Sequence, residues 1–276
     1  MIQNSVLDRF GESPSERGFV IGFGWRGFEP VLSYIQEEGS SPRTVDLDRA
    51  HWWFGSHIHC IGKMEEGKHV PCPNREPVDV HRVCQACAAP RIPNLEHVFD
   101  PMPGCTCQFC ARDHVVYIAF YGDRVKVGMT SAARVPERLI EQGADAFIVA
   151  SKLPSRYHAR ELEIRLSRDI GIPQSVSDRS HLSLLGKKTG PEFIKWRSDD
   201  IGKVLKDDMG LEPSEVTILD KYPMAQPLRR TPRARSSPGL HSGNVVGCKG
   251  KFLIYESGGL QALKLPDLEG REIGFL

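Results

Sequence analysis

Val115-Val116-Tyr117-Ile118-Ala119-Phe120-Tyr121-Gly122-Asp123-Arg124-Val125-Lys126-Val127-Gly128-Met129 is the stretch that decides the fold. Two runs rich in β-branched and aromatic residues flank Gly122-Asp123. Glycine in the first place of a two-residue loop fits a type II′ hairpin. That turn sets the register: Tyr121 faces Arg124, Phe120 faces Val125, Ala119 faces Lys126, Ile118 faces Val127 and Tyr117 faces Gly128. One face then carries Val116, Ile118, Phe120, Val125, Val127 and Met129 and must meet a core. The other carries Tyr117, Ala119, Tyr121, Arg124, Lys126 and Gly128, a phenol diagonal to an ammonium beside residues small enough to leave room.

Downstream, the spacing predicts a helix from Val135 to Gln142, with Pro136 in its first turn and Gly143 as its C-terminal cap. Arg134 and Arg138 share a side of it. Ala146-Phe147-Ile148-Val149-Ala150 reads as a strand. Ser155 caps a second helix reaching about Arg168, whose inward stripe is Ala159, Leu162, Leu166 and Ile170. Glu163 falls at the edge of that stripe. A buried carboxylate needs a cation, either a metal or an arginine such as Arg138.

Upstream lies the strongest chemical signal. Seven of the eight cysteines, Cys60, Cys72, Cys84, Cys87, Cys105, Cys107 and Cys110, fall within 51 residues, and Cys248 stands apart. Cys84-x-x-Cys87 and Cys107-x-x-Cys110 have metal-knuckle spacing, and two such pairs complete a tetrahedron around zinc. Cys105 can replace Cys107. Cys60 and Cys72 point to a second site, with Cys105 or with His57, His59, His69 or His81. Disulfides need an oxidising compartment, and Met1–Asp8 lacks the basic and apolar pattern of a signal peptide. The expected setting is a reducing cytoplasm.

The 276 residues suffice for one large domain or two to three small ones. Apolar residues make up 40% and charged residues 26%, an ordinary globular composition. No apolar run approaches the roughly 20 residues that span a bilayer, so no membrane partner is expected. A net charge of +1 makes the whole chain no magnet for nucleic acid, and such a contact must use a local basic patch.

The fold class expected is α+β: a small antiparallel sheet with flanking helices, preceded by a zinc-ribbon-like segment. The N- and C-terminal regions form a further β-unit. The divisions are 1–58, paired with 244–276; a cysteine-rich zinc-binding segment 59–112; an α/β domain 113–224; and a mobile basic loop 225–243 with four arginines. Phe19–Trp25, Val31–Ile35 and a hairpin from Lys251 supply strands, and His51-Trp52-Trp53-Phe54 packs a core. Pro191–Met209 reads as a helix burying Phe193, Ile194, Trp196, Ile201, Val204 and Leu205.

Tyr117, Lys126-Val127-Gly128-x-Thr130, Arg138 and Ala159-x-x-x-Glu163 together resemble the GIY-YIG nuclease superfamily over about 55 residues. The whole chain also resembles an uncharacterised prokaryotic family that joins a cysteine-rich segment to such a core. Glu141-Gln142-Gly143-Ala144 and Gly247-x-Lys249-Gly250-x-Phe252-Leu253 fit that likeness. The superfamily resemblance implies that Tyr117 positions a nucleophile, Arg138 contacts a scissile phosphate and Glu163 holds a divalent ion, Mg²⁺ or Mn²⁺. Lys126 stands where the second signature tyrosine, a proposed base, would be. It acts as a base only if burial or nearby positive charge lowers its pKa. Thr130, Arg134 and His114 complete a substrate-binding set. Val115 replaces the first signature glycine, and Gln142 replaces a titratable residue.

The leading expectation is a metal-dependent phosphodiesterase acting on DNA or RNA, with structural zinc. The alternatives are a non-catalytic zinc-containing nucleic-acid-binding protein and a small-molecule enzyme on the same scaffold.

Overall fold

A computed structural model of the chain describes residues 14–36, 41–66, 68–79, 82–88, 101–185, 189–224, 228 and 230–276. The fold is mixed α+β and divides into two compact units. One comprises residues 1–89 and 233–276, the other 90–232.

The first unit is built from both ends of the chain. Its strands are β1 (Glu16–Arg26), β2 (Glu29–Ile35), β3 (Arg43–Thr44), β4 (Arg49–Phe54), β5 (Lys63–Glu65) and β6 (Lys68–Val70) from the first stretch. The second stretch gives β11 (Arg233–Arg235), β12 (Gly239–Lys249), β13 (Phe252–Glu256), β14 (Leu260–Lys264) and β15 (Glu272–Phe275). Nine of them form one sheet in the order β11-β14-β13-β12-β4-β15-β1-β2-β3. β15 closes the gap between β1 and β4, with Ile273 opposite Gly18 on one side and Phe54 on the other. Val20, Leu32, Trp52, Phe54, Leu253, Leu263 and Ile273 are buried there, so the aromatic run at His51–Phe54 alternates between core and surface. Within the stretch expected as a mobile loop, Arg233–Arg235 pairs in parallel with β14, and residues from Gly239 begin β12. Arg229 and residues 225–227 of that stretch lie outside the described residues.

The second unit has a four-stranded antiparallel sheet, β10 (Thr217–Ile218), β9 (Ala146–Leu153), β7 (His114–Tyr121) and β8 (Arg124–Ser131), in that order. The β7–β8 register pairs Tyr117 with Gly128 and Tyr121 with Arg124, as the turn chemistry dictates. Gly122 takes φ +56° while Asp123 stays out of the left-handed region, the mark of a II′ turn. The helices are α1 (Glu137–Gln142), α2 (Arg156–Asp169), α3 (Asp178–Leu185) and α4 (Pro191–Met209). Gly143 ends α1 at φ +74°, and the Ser155 hydroxyl accepts the His158 amide to cap α2.

The apolar hairpin face meets its core. Val116, Ile118, Phe120 and Val127 pack with Ala159 and Leu166 of α2 and Ile194, Ile201 and Leu205 of α4. The opposite face is also covered: all eight residues of β7 are buried, and Tyr121 meets His181 of α3 ring to ring at 5.4 Å. A central strand buried on both faces leaves less room for a cleft than a half-exposed one. On α4 the expected buried stripe is corrected. Phe193 and Trp196 are 41% and 60% exposed, and Ser198 takes an inward place.

Candidate functional site

The cysteines are grouped by topology rather than by nearness in sequence. The sulfurs of Cys60, Cys72, Cys84 and Cys87 lie within 4.8 Å of one another in the first unit, all four buried. Cys105, Cys107 and Cys110 form a separate group in the second unit. The expected union of the two Cys-x-x-Cys pairs around one ion is therefore corrected. Cys84 and Cys87 find their partners upstream.

Local structure accounts for this. The β5–β6 hairpin joins Cys60 to Cys72 and folds the chain back between them. The turn at Gly62 has φ +80°, and a Cβ there would stand 2.2 Å from the Val70 carbonyl oxygen, so the close approach requires glycine. The Cys60 amide donates to the Glu76 carbonyl at 2.8 Å and the Ile61 amide to the Arg82 carbonyl at 3.0 Å, which draws the third stretch alongside. The Cys84 knuckle is a tight turn in which the amides of Cys87 and Ala88 both donate to the Cys84 carbonyl, at 3.1 and 2.8 Å.

Cys60 Sγ accepts the Cys84 amide at 3.2 Å and the Gly62 amide at 3.4 Å. Burial raises the Cys60 pKa, and these donors offset only part of that. Burial opposes the Cys72 thiolate, yet the amides of Glu76 and Asn74 and the thiols of Cys60 and Cys87 bring its pKa down to about 7. Burial and the neighbouring sulfurs push Cys87 up. Four sulfurs this close cannot all ionise without a cation among them.

The donor set fits zinc. Sulfurs about 2.3 Å from a tetrahedral centre stand about 3.8 Å apart, and Cys72 Sγ and Cys84 Sγ are 3.9 Å apart. The histidines considered as ligands are otherwise placed. His59 Nδ1 meets the Arg75 carbonyl at 2.9 Å, His69 Nε2 meets the Ile61 carbonyl at 2.6 Å, and His57 is exposed. His81 lies outside the described residues. Cys248 is buried in β12.

In the second unit, Tyr117 stands opposite Gly128 with its ring lying over that glycine. Its hydroxyl accepts from Gln142 Nε2 at 3.1 Å, and the Tyr121 hydroxyl donates to Gln142 Oε1 at 3.2 Å. Gln142, set aside in sequence as a residue that titrates nothing, is thus the hub of a buried phenol pair. Tyr121 was legible as its neighbour two places along the same strand face; Gln142 gave no sequence signal. Burial raises the pKa of Tyr117. The Gln142 bond and Arg138 lower it, while Glu163 and Glu141 raise it, so these charges fall within its field.

Of the cations expected for Glu163, a metal or an arginine such as Arg138, the structure supplies an arginine, Arg160. Glu163 takes Arg160, three residues earlier on α2, at 2.6 Å. Arg160 also reaches Gln174 Oε1 at 2.9 Å. Arg138 turns to Glu141 at 3.1 Å, and Arg134 binds the same carboxylate. An i,i+3 pair needs no tertiary geometry, which is why it wins over a partner on another helix. Lys126 is half-buried on β8, opposite Ala119. Thr130 is buried in the same strand. His114 is buried and fixed by the Arg112 carbonyl at 2.8 Å; burial lowers its pKa. No described helix is long and apolar enough to cross a membrane.

A family model described as "Protein of unknown function (DUF2797)" matches residues 103–273. The matched span holds the second unit's sheet and helices, Cys105, Cys107 and Cys110, and none of Cys60, Cys72, Cys84 and Cys87. No curated protein and no solved structure matches the chain.

Proposed function

The chain belongs to the DUF2797 family, and from the sulfur geometry of its first unit we propose that it is a zinc protein in which Cys60, Cys72, Cys84 and Cys87 hold one structural ion. The observation that carries this is the closed set of four buried sulfurs with a tetrahedral edge of 3.9 Å. Four protein ligands leave no open corner, so the ion's part is structural rather than catalytic. The segment it fastens has little apolar material apart from the cysteines, Val78 and Val83. Metal affinity there supplies the folding free energy that a core would supply elsewhere. The test is metal analysis of the purified reduced chain. Zinc bound in wild type and lost from that site in Cys72→Ser supports the reading. Metal-free wild type, or disulfides among these four cysteines, sinks it.

A second reading concerns the second unit: phosphodiester cleavage in DNA or RNA on a GIY-YIG-like core. It is supported by the hairpin register that sets Tyr117 against Gly128, and by Arg138 and Glu163 both acting on the Tyr117 phenol. In this reading Arg138 meets a phosphate and Glu163 accepts Mg²⁺ or Mn²⁺ after Arg160 swings away. Both arginines keep a partly exposed side chain, 44% and 30%. Magnesium-dependent nicking of a plasmid or a structured oligonucleotide, abolished by Glu163→Ala, is the expected result. Nucleic-acid binding without cleavage would assign the unit to recognition instead. Neither activity across DNA and RNA would leave a small-molecule substrate as the alternative.

A further inference from the structure

Cys105, Cys107 and Cys110 stand outside the four-sulfur site, and their sulfurs also lie within 4.8 Å of one another. Cys110 is buried and the other two are half-buried. Their backbone repeats the knuckle of the first unit. The amides of Cys110 and Ala111 both donate to the Cys107 carbonyl at 2.9 Å, as those of Cys87 and Ala88 do to Cys84. The same turn, in a different unit, aims two sulfurs at one point. Gly104, at φ +71°, folds the chain back so that Cys105 adds a third.

A second observation concerns charge. Phe109, inside the knuckle, carries two guanidiniums: Arg156 at 4.8 Å and Arg112 at 5.2 Å from its ring centre. The Arg156 amide also donates to the Cys110 carbonyl at 3.0 Å, fixing the knuckle to the start of α2. Three thiolates around a divalent cation would carry a net charge of −1, which two nearby guanidiniums offset.

We propose that Cys105, Cys107 and Cys110 form a second metal site, independent of the first, for a thiophilic divalent cation of the zinc class. Soft thiolates select such an ion over magnesium or calcium. These three residues provide three corners of the tetrahedron, and the fourth comes from a nitrogen or oxygen ligand. Binding converts three thiols to thiolates and releases their protons to solvent. Where the four-sulfur site fastens the first unit, this one orders the knuckle whose Cys110 carbonyl accepts the Arg156 amide at the start of α2.

Metal counting on the full-length reduced protein tests this. Wild type should hold about two zinc ions, and Cys105→Ser/Cys107→Ser/Cys110→Ser about one. X-ray absorption on wild type should average between three and four sulfurs per zinc, with a light ligand at about 2.0–2.1 Å. Native alkylation keeps the idea testable should that variant fail to fold. Cys105, Cys107 and Cys110 should resist modification until a chelator removes metal. Wild type with one zinc that survives the triple substitution overturns this site and leaves the first standing. Zinc in wild type with Cys105, Cys107 and Cys110 freely alkylated or joined by a disulfide has the same meaning. No zinc at all overturns both.

Discussion

At Gly128 a Cβ would stand 2.5 Å from the Tyr117 hydroxyl oxygen and 2.6 and 2.9 Å from two of its ring carbons. The room that the small residues of this face leave is filled by the tyrosine itself. Gly128→Ala must therefore push the ring aside and strain its bonds with Gln142. Crowding of this kind costs about 1–3 kcal/mol, read as a fall in the denaturant midpoint. An unchanged midpoint would mean that the ring is not held. His241 makes a similar case in the first unit. Its Nε2 meets the Ser237 carbonyl at 3.0 Å and so carries a hydrogen, and its Nδ1 meets the Tyr255 hydroxyl at 2.9 Å. Burial lowers its pKa. The unfolded chain then takes up the proton first, and stability falls as pH drops below the ordinary histidine value of about 6.5. His114 contributes in the same direction. Unfolding free energies at pH 7.5 and 5.5 should differ less in His241→Gln than in wild type. An equal difference would remove His241 from the account.

Helix α2 shows how far a single element can be read from its own residues. Its cap at Ser155, its end near Arg168 and its stripe of Ala159, Leu162 and Leu166 were all legible, because capping and 3.6-residue periodicity are local properties. The burial of Glu163 was legible for the same reason. Its need for a cation was legible too, but not which one: Arg138 was one candidate, and the helix itself offers Arg160 one turn away. Helix α4 failed differently. Its range was legible, but Phe193 and Trp196 were assigned to the core on hydrophobicity, whereas Ile194, Ile201 and Leu205 define the face that packs. Two substitutions follow. Arg160→Ala leaves a nearly buried carboxylate without its cation and should cost about 1–3 kcal/mol, part of which Glu163→Gln restores. A double variant no more stable than Arg160→Ala would show that the pair is not coupled. Trp196→Gln should change stability by less than about 0.5 kcal/mol, whereas Ile201→Ala should cost about 2–4 kcal/mol. Comparable losses at both positions would mean that the exposed face of α4 is covered in solution.

Across the whole molecule, the sequence is least informative where contacts join distant residues. The hairpin at Lys251 and the strands near Phe19 could be read singly, and their shared sheet follows from the shortness of the C-terminal piece. The strand order could not be read, because β15 enters between β1 and β4 through pairings more than 200 residues apart. The cysteines mislead for the same reason. Nineteen residues separate Cys87 from Cys107, yet the hairpin between Cys60 and Cys72, not that spacing, decides which sulfurs meet. The resulting division has a thermodynamic consequence. Each unit has its own buried apolar residues, and Cys60, Cys72, Cys84 and Cys87 belong wholly to the first. Cys60→Ser/Cys84→Ser removes two of the four sulfurs proposed to hold zinc there and touches nothing in the second unit. Calorimetry of this variant should show an early transition for the first unit, while a transition near that of wild type persists for the second. Hydrogen exchange assigns the two: amides of β4, β12 and β15 should lose protection while those of β7, β8 and β9 keep it. Loss of protection in both sheets together would show that the two units unfold as one, and that the metal stabilises the whole chain rather than its terminal half.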